Sequence, residues 1–106
     1  MEPEIKKILA ELRENLTDLY GDRLLRVIVF GSQAREDSEL GSDIDVMVVL
    51  EGDVLPGKEI MRTSEIRAGL SLKHGKVISC VFMSSSRYAN EQSPLLMNAR
   101  REGLII

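Results

Sequence analysis

The chain has 106 residues, 43% apolar and 29% charged, with a formal net charge of −3 and one cysteine. A length of this order buries roughly 60–70% of the unfolded surface around one core, so residues 1–106 read as a single domain. A single cysteine excludes an internal disulfide and a cysteine-built zinc site, and no apolar run reaches the roughly 18 residues of a membrane span.

The start, MEPEIKKILAEL, is charged throughout and reads as the opening of a helix, not a secretory signal, which points to the cytoplasm. Ile5, Ile8, Leu9, Leu12, Leu16, Leu19 and Tyr20 recur at helical spacing up to Gly21, predicting a helix over Pro3–Tyr20. LLRVIVF, Leu24 to Phe30, is short and β-branched, hence a buried strand. A short helix over Ser32 to Glu36 follows, then a second strand, DIDVMVVL, from Asp43 to Leu50. From Lys58 to Lys73 the spacing fits one helix, with Met61, Ala68 and Leu72 on one side and Ile66 and Leu70 beside it. His74 stands in its last turn before Gly75, where a cation complements the helix end.

KVISCVFM, Lys76 to Met83, is the third strand, with Cys80 as a small buried hydrophobe. Ser84 to Ser86 can cap a short helix, Ser93-Pro94 opens another that stops at Gly103, and LII closes the chain as an edge strand. Met47, Met61, Met83 and Met97 fall on expected core faces. The order of elements predicts an α/β fold: a small mixed β-sheet with helices packed on it. No segment concentrates Lys and Arg and only 4% of residues are aromatic, so no direct nucleic-acid binding is expected.

Chemistry concentrates in FGSQAREDSELGSDID, Phe30 to Asp45. Side chains alternate along a strand, so Asp43 and Asp45 share one face, roughly 6–7 Å apart at the usual rise. Two such carboxylates suit Mg²⁺, which keeps positions free for substrate phosphate. Gly31 permits a sharp turn and close backbone approach, and Ser32 offers a hydroxyl and an N–H at a helix start, where anions are favoured. The short connection makes the two strands antiparallel neighbours, so Gly31-Ser32 and the Asp pair meet at one sheet edge. That outlines a nucleoside triphosphate site. The plainer alternative is that Ser42-Asp43 caps a turn and Asp45 is merely solvated.

An apolar strand, Gly-Ser, a spacer and Asp-x-Asp opening the next strand resembles the DNA polymerase beta-like nucleotidyltransferase superfamily. FGSQAREDSELGSDIDVMVV is similar to its minimal nucleotidyltransferase branch, and SPLLMNARREGLII resembles that branch's closing helix, Gly and strand. The resemblance implies the polymerase beta-like fold and a metal-dependent transfer of AMP from ATP, with Mg²⁺ or Mn²⁺. Asp43 and Asp45 are then the catalytic metal ligands, Gly31 and Ser32 the phosphate loop, and Arg35 a phosphate-facing or loop-bracing group. Many members of this branch are antitoxins encoded beside a HEPN-domain protein, and some adenylylate a tyrosine of that partner. The implied partners are a nucleoside triphosphate and a HEPN-domain protein, in a hetero-oligomer.

Active relatives add a third carboxylate on a later strand, where this chain has Ser79, and Lys76 to Met83 contains no acid. Candidate substitutes are Glu36, Asp37 and Glu39 in the connection, Glu65 in the middle helix, and Glu51, roughly 20 Å beyond Asp45 at the strand rise. Loss of a base and ligand costs roughly 10²–10⁴ in rate. A second reading is therefore a catalytically weak binding module that neutralises a helical partner. A third, an unrelated Asp-x-Asp phosphatase or sugar-nucleotide transferase, is disfavoured because the apolar residues follow the acid pair. Neither a Gly-Lys-Ser/Thr loop nor Gly-x-Gly-x-x-Gly is present.

Overall fold

Residues 1–35 and 43–106 are described by a computed structural model. Helix α1 (Pro3–Tyr20) leads through a short 3₁₀ turn to strand β1 (Leu24–Phe30), the one-turn helix α2 (Ser32–Arg35) and strand β2 (Ile44–Leu50). Helices α3 (Pro56–Arg62) and α4 (Ser64–His74) then cross to β3 (Ile78–Ser84), followed by α5 (Ser85–Asn90), α6 (Pro94–Glu102) and β4 (Leu104–Ile105). The strands form a mixed sheet in the order β3-β2-β1-β4. β1 is antiparallel to both β2 and β4, whereas β2 and β3 are parallel, as the helical crossover between them requires. The expected fold class is the observed one.

Because β2 is central and covered on both faces, it reads as a near-continuous apolar run. Its even-numbered residues, Ile44, Val46, Val48 and Leu50, join α1 and Leu70 of α4 in one core layer. Met47 and Val49 face the other way, packing with Ile28, Met83 and the α6 residues Leu96 and Ala99. The two layers thus assign every side chain of β2 to a side. Asp45 belongs with Met47 and Val49.

Ser84 and Ser93 cap α5 and α6, accepting from the Arg87 and Leu96 backbone N–H groups. The expected single helix over Lys58 to Lys73 is instead two, starting at Pro56 and broken at Thr63, whose hydroxyl donates to the Glu59 carbonyl. Its buried face is also different. Ile66 and Leu70 pack on the core, while Ala68 is exposed and Met61 and Leu72 are 78% and 88% exposed. The reason lies in Glu59, only 3% exposed, which accepts from the Tyr20 hydroxyl at 2.9 Å and faces Arg62 at 3.4 Å. Turning that carboxylate inward turns Met61 outward. Met47 and Met83 are buried as expected, but Met97 and Leu19 are exposed. Cys80 is half-buried against the α1 layer, and burial pushes its thiol up to about 11, so it is an unreactive packing group.

His74 does more than complement a helix end. Its Nε2 lies 2.6 Å from Glu11 of α1, whose other carboxylate oxygen accepts from Lys73 at 2.7 Å, while the Gly75 N–H closes the helix onto Ser71. Lys73 first, then His74, hold the Glu11 carboxyl below its ordinary value of 4.5. A depressed carboxyl stabilises the fold above that value and loses its contribution as pH falls through the folded value. Glu11→Gln should therefore melt below wild type near neutral pH, with the gap closing in acid. Thermal melts across that range check it, and a gap independent of pH would refute it. No helix among the described residues is long and apolar enough to cross a membrane.

Candidate functional site

The sheet register brings the opening motif together. β1 ends at Phe30, which pairs with Asp45 across the antiparallel ladder, so the turn at Gly31 starts beside the carboxylate. Gly31 has φ +71°, and a Cβ built there would lie 2.6 Å from Asp45 Oδ2. Only glycine allows the backbone this close to the carboxylate. Ser32 and Arg35 are the first and last residues of α2, which continues directly from the turn, and Gln33 between them is buried.

Asp43 stands exposed one residue before β2, so the strand starts later than expected. Asp45 is half-buried, and burial, with the nearby Asp43 charge as the smaller cause, raises its carboxyl above the ordinary range. A divalent cation relieves the disfavoured charge of Asp45, and the hard oxygens of Asp43 and Asp45 suit Mg²⁺ or Mn²⁺. The donor set fits a cation held in part by substrate phosphate. Among the described residues no cluster of three or more His, Cys, Asp or Glu could enclose a metal without such help.

On the other side of Asp45 lies Ser79. The Ile44 N–H donates to the Val77 carbonyl at 2.9 Å, which sets β3 in register so that Asp45 pairs with Ser79. Directly paired residues of neighbouring strands face the same way, with strands about 4.8 Å apart. Phe30, Asp45 and Ser79 therefore form one row across the sheet, at the rim of the α6-covered layer.

Of the suggested substitutes for a third carboxylate, the two among the described residues, Glu51 and Glu65, do not join this row. Glu51 is tied to Arg23 at the opposite end of the sheet, through the Glu51 N–H and the Arg23 guanidinium. Glu65 sits in the first turn of α4, which packs on the α1 face and not on the face of Asp45. Glu36, Asp37, Glu39 and the Ser42 part of the alternative turn cap lie outside the described residues.

A model of the nucleotidyltransferase domain matches residues 5–96. The chain belongs to that family. Two proteins of Methanocaldococcus jannaschii are similar over most of their length. "Putative protein adenylyltransferase MJ0141" is 36% identical over 76 residues, covering 72% of this chain and 76% of the relative. "Putative protein adenylyltransferase MJ0604" is 32% identical over 83 residues, covering 78% and 77%. Among solved structures, a nucleotidyltransferase-type protein of Sulfolobus solfataricus superposes with a TM-score of 0.68 at 20% identity, over 96% of this chain and 80% of the other. A toxin–antitoxin structure with AMP-PNP superposes at 0.64 and 20% identity, over 98% and 72%. Both structural matches establish the nucleotidyltransferase fold.

Within this family fold, Gly31 and Asp45 make one unit, and a substitution at either should be felt at the other. Gly31→Ala should lose about 1–3 kcal/mol through its left-handed backbone and also displace the Asp45 carboxylate. Gly52, at φ +82°, has open space where a Cβ would go, so Gly52→Ala carries the strain alone. Both variants should melt lower, but only Gly31→Ala should weaken any Mg²⁺-dependent ATP binding of the wild type. Calorimetry beside thermal melts separates them; equal ATP binding by both would refute the coupling.

Neither Gln33 nor the buried Tyr20–Glu59 pair is evident in the sequence. Tyr20 reads as part of the apolar stripe of α1, but Gln33 and Glu59 are polar residues that only the packing of α2 and α3 brings inside.

Proposed function

We propose that this chain is a metal-dependent nucleotidyltransferase that moves AMP from ATP to a hydroxyl of a protein partner, acting as the antitoxin of a HEPN-type toxin. The observation that carries this reading is the meeting of the Gly31 turn with the Asp45 carboxylate at one end of one sheet face. Similarity to two proteins named as protein adenylyltransferases, and a fold shared with a toxin–antitoxin structure holding AMP-PNP, support the choice of nucleotide and acceptor.

In this scheme Asp43 and Asp45 would hold Mg²⁺ or Mn²⁺, and the bound ion would supply positive charge to offset that of the phosphates. Gly31 brings backbone close to the phosphates, Ser32 contributes its N–H and hydroxyl, and Arg35 faces or braces the phosphate loop. The acceptor oxygen bonds to the α-phosphorus, the α–β bridging bond breaks, pyrophosphate leaves and the hydroxyl proton passes to solvent. Residues 1–106 act as one domain in this reading.

A second reading is favoured by one observation: Ser79, not an acid, pairs with Asp45. The chain would then bind metal and nucleotide but neutralise its partner by association. Co-expression with the product of the adjacent gene, then intact-mass measurement after ATP and Mg²⁺, distinguishes the two. An AMP adduct on the partner is the expected result. A stable complex with no adduct supports the binding module, and neither complex nor adduct overturns both.

A further inference from the structure

A cavity of about 710 Å³ opens at the end of the sheet opposite Gly31 and Asp45. Three arginines from three separate elements line it: Arg13 of α1, Arg26 of β1 and Arg100 of α6, with Tyr88 of α5 between them. No Asp or Glu is among the described residues that line it, although acids outnumber bases in the chain by 17 to 14.

Arg26 and Arg100 are held in place by uncharged groups. The Arg26 guanidinium lies over the Tyr88 ring, 5.9 Å from its centre. Arg100 donates to the Tyr88 carbonyl and, at 2.7 Å, to that of Glu91, while Arg13 donates to the main-chain oxygen of Ile106. Carbonyls and a ring orient a guanidinium without neutralising it, so the groove holds a preset positive field. β1 is also irregular here: Leu24 pairs with Leu50 and Arg26 with Val49, leaving Leu25 as an extra residue. Such a bulge re-aims side chains at a sheet edge. Leu25 and Ile105, 46% and 63% exposed, give the groove an apolar rim beside the charge.

We propose that this groove docks a segment of a protein partner that alternates carboxylates with large apolar side chains. Guanidinium groups pair with carboxylates bidentately, and the exposed leucine and isoleucine accept the apolar residues. Nucleic acid is disfavoured, because Tyr88, the groove's aromatic ring, already carries Arg26 on its face and the chain is net acidic. Val49, in the lining, is four residues from Asp45, about 13 Å along the strand. A docked segment therefore leaves the Gly31–Asp45 end free, and docking does not depend on nucleotide transfer.

Fluorescence anisotropy with a labelled peptide of alternating Glu and Leu, titrated with the whole chain, tests the proposal. The peptide should bind, more weakly as salt rises, and Arg26→Glu should weaken it about tenfold or more, the loss of a charge-assisted hydrogen bond. Arg26→Lys, which keeps the charge but loses the bidentate fork, should bind between wild type and Arg26→Glu. Arg101→Glu, on exposed α6 surface outside the lining, changes net charge equally and should bind as wild type. Melting temperatures confirm that each variant is folded, and Arg26→Gln replaces Arg26→Glu if the latter is not. Failure of the folded wild type to bind overturns the proposal, as does equal weakening by Arg26→Glu and Arg101→Glu. Displacement by inorganic triphosphate or a single-stranded oligonucleotide at lower concentration than unlabelled peptide also overturns it, in favour of a phosphate site.

Discussion

Under the proposed function, Asp45→Asn is expected to abolish any Mg²⁺-dependent ATP binding and to lower any AMP transfer by about 10²–10⁴. The substitution keeps the shape of the side chain, so the Gly31 turn and the Phe30 and Ser79 pairings can stay as they are. What it removes is the charge that a cation would meet. Stability should move the other way. Burial and Asp43 already raise the Asp45 carboxyl, so its ionised form at neutral pH works against the fold. A raised carboxyl costs stability above its folded value, and the cost disappears as pH falls through that value or when the charge is removed. The Asn variant should therefore melt at or above the wild-type temperature while failing to bind. Calorimetry with and without Mg²⁺, on wild type and Asp45→Asn, checks the first half and thermal melts the second. ATP affinity that is the same in all four titrations would place the metal elsewhere.

Helix α1 was legible because its apolar residues repeat at one clear period up to Gly21, and the three long strands because each is a short, largely β-branched apolar run ended by a polar turn. The meeting of Gly31 with Asp45 followed from a short connection between two such strands. The crossover between β2 and β3 was not legible in the same way. It carries two competing apolar stripes, and periodicity cannot say which faces inward. Glu59 decides it for α3, because Tyr20, 39 positions earlier, offers its carboxylate a buried partner. The arginine groove was hidden for the same physical reason. Arg13, Arg26 and Arg100 lie on three elements and form no run in the sequence; only packing of α1, β1 and α6 around one sheet end assembles them.

Ser79→Asp is the substitution expected to gain function. β3 runs parallel to β2 with Ser79 beside Asp45, so a carboxylate there would face the same side, about 4.8 Å from its neighbour's strand. Two acids become three around one cation, and the third can take the proton from the attacking hydroxyl. If the proposed transfer is limited by that missing base, the gain should be about 10²–10⁴ in rate. Cost to the fold depends on position along β3. Met83 is buried in the α6 layer and Val81 is half-covered, but Ser79 lies farther toward the open end, beside exposed Val77. A charge at 81 or 83 would be destabilising by several kcal/mol; at 79 the side chain is half-exposed and has a cation to meet. Without Mg²⁺ the variant should melt below wild type, because a third carboxylate adds repulsion to the Asp43 and Asp45 pair, and adding Mg²⁺ should restore the loss. Melts with and without Mg²⁺, beside mass measurement of AMP on the co-expressed partner, read both effects. A folded Ser79→Asp protein that gains neither Mg²⁺-dependent stability nor transfer would mean that the row Phe30, Asp45, Ser79 does not line the cation site.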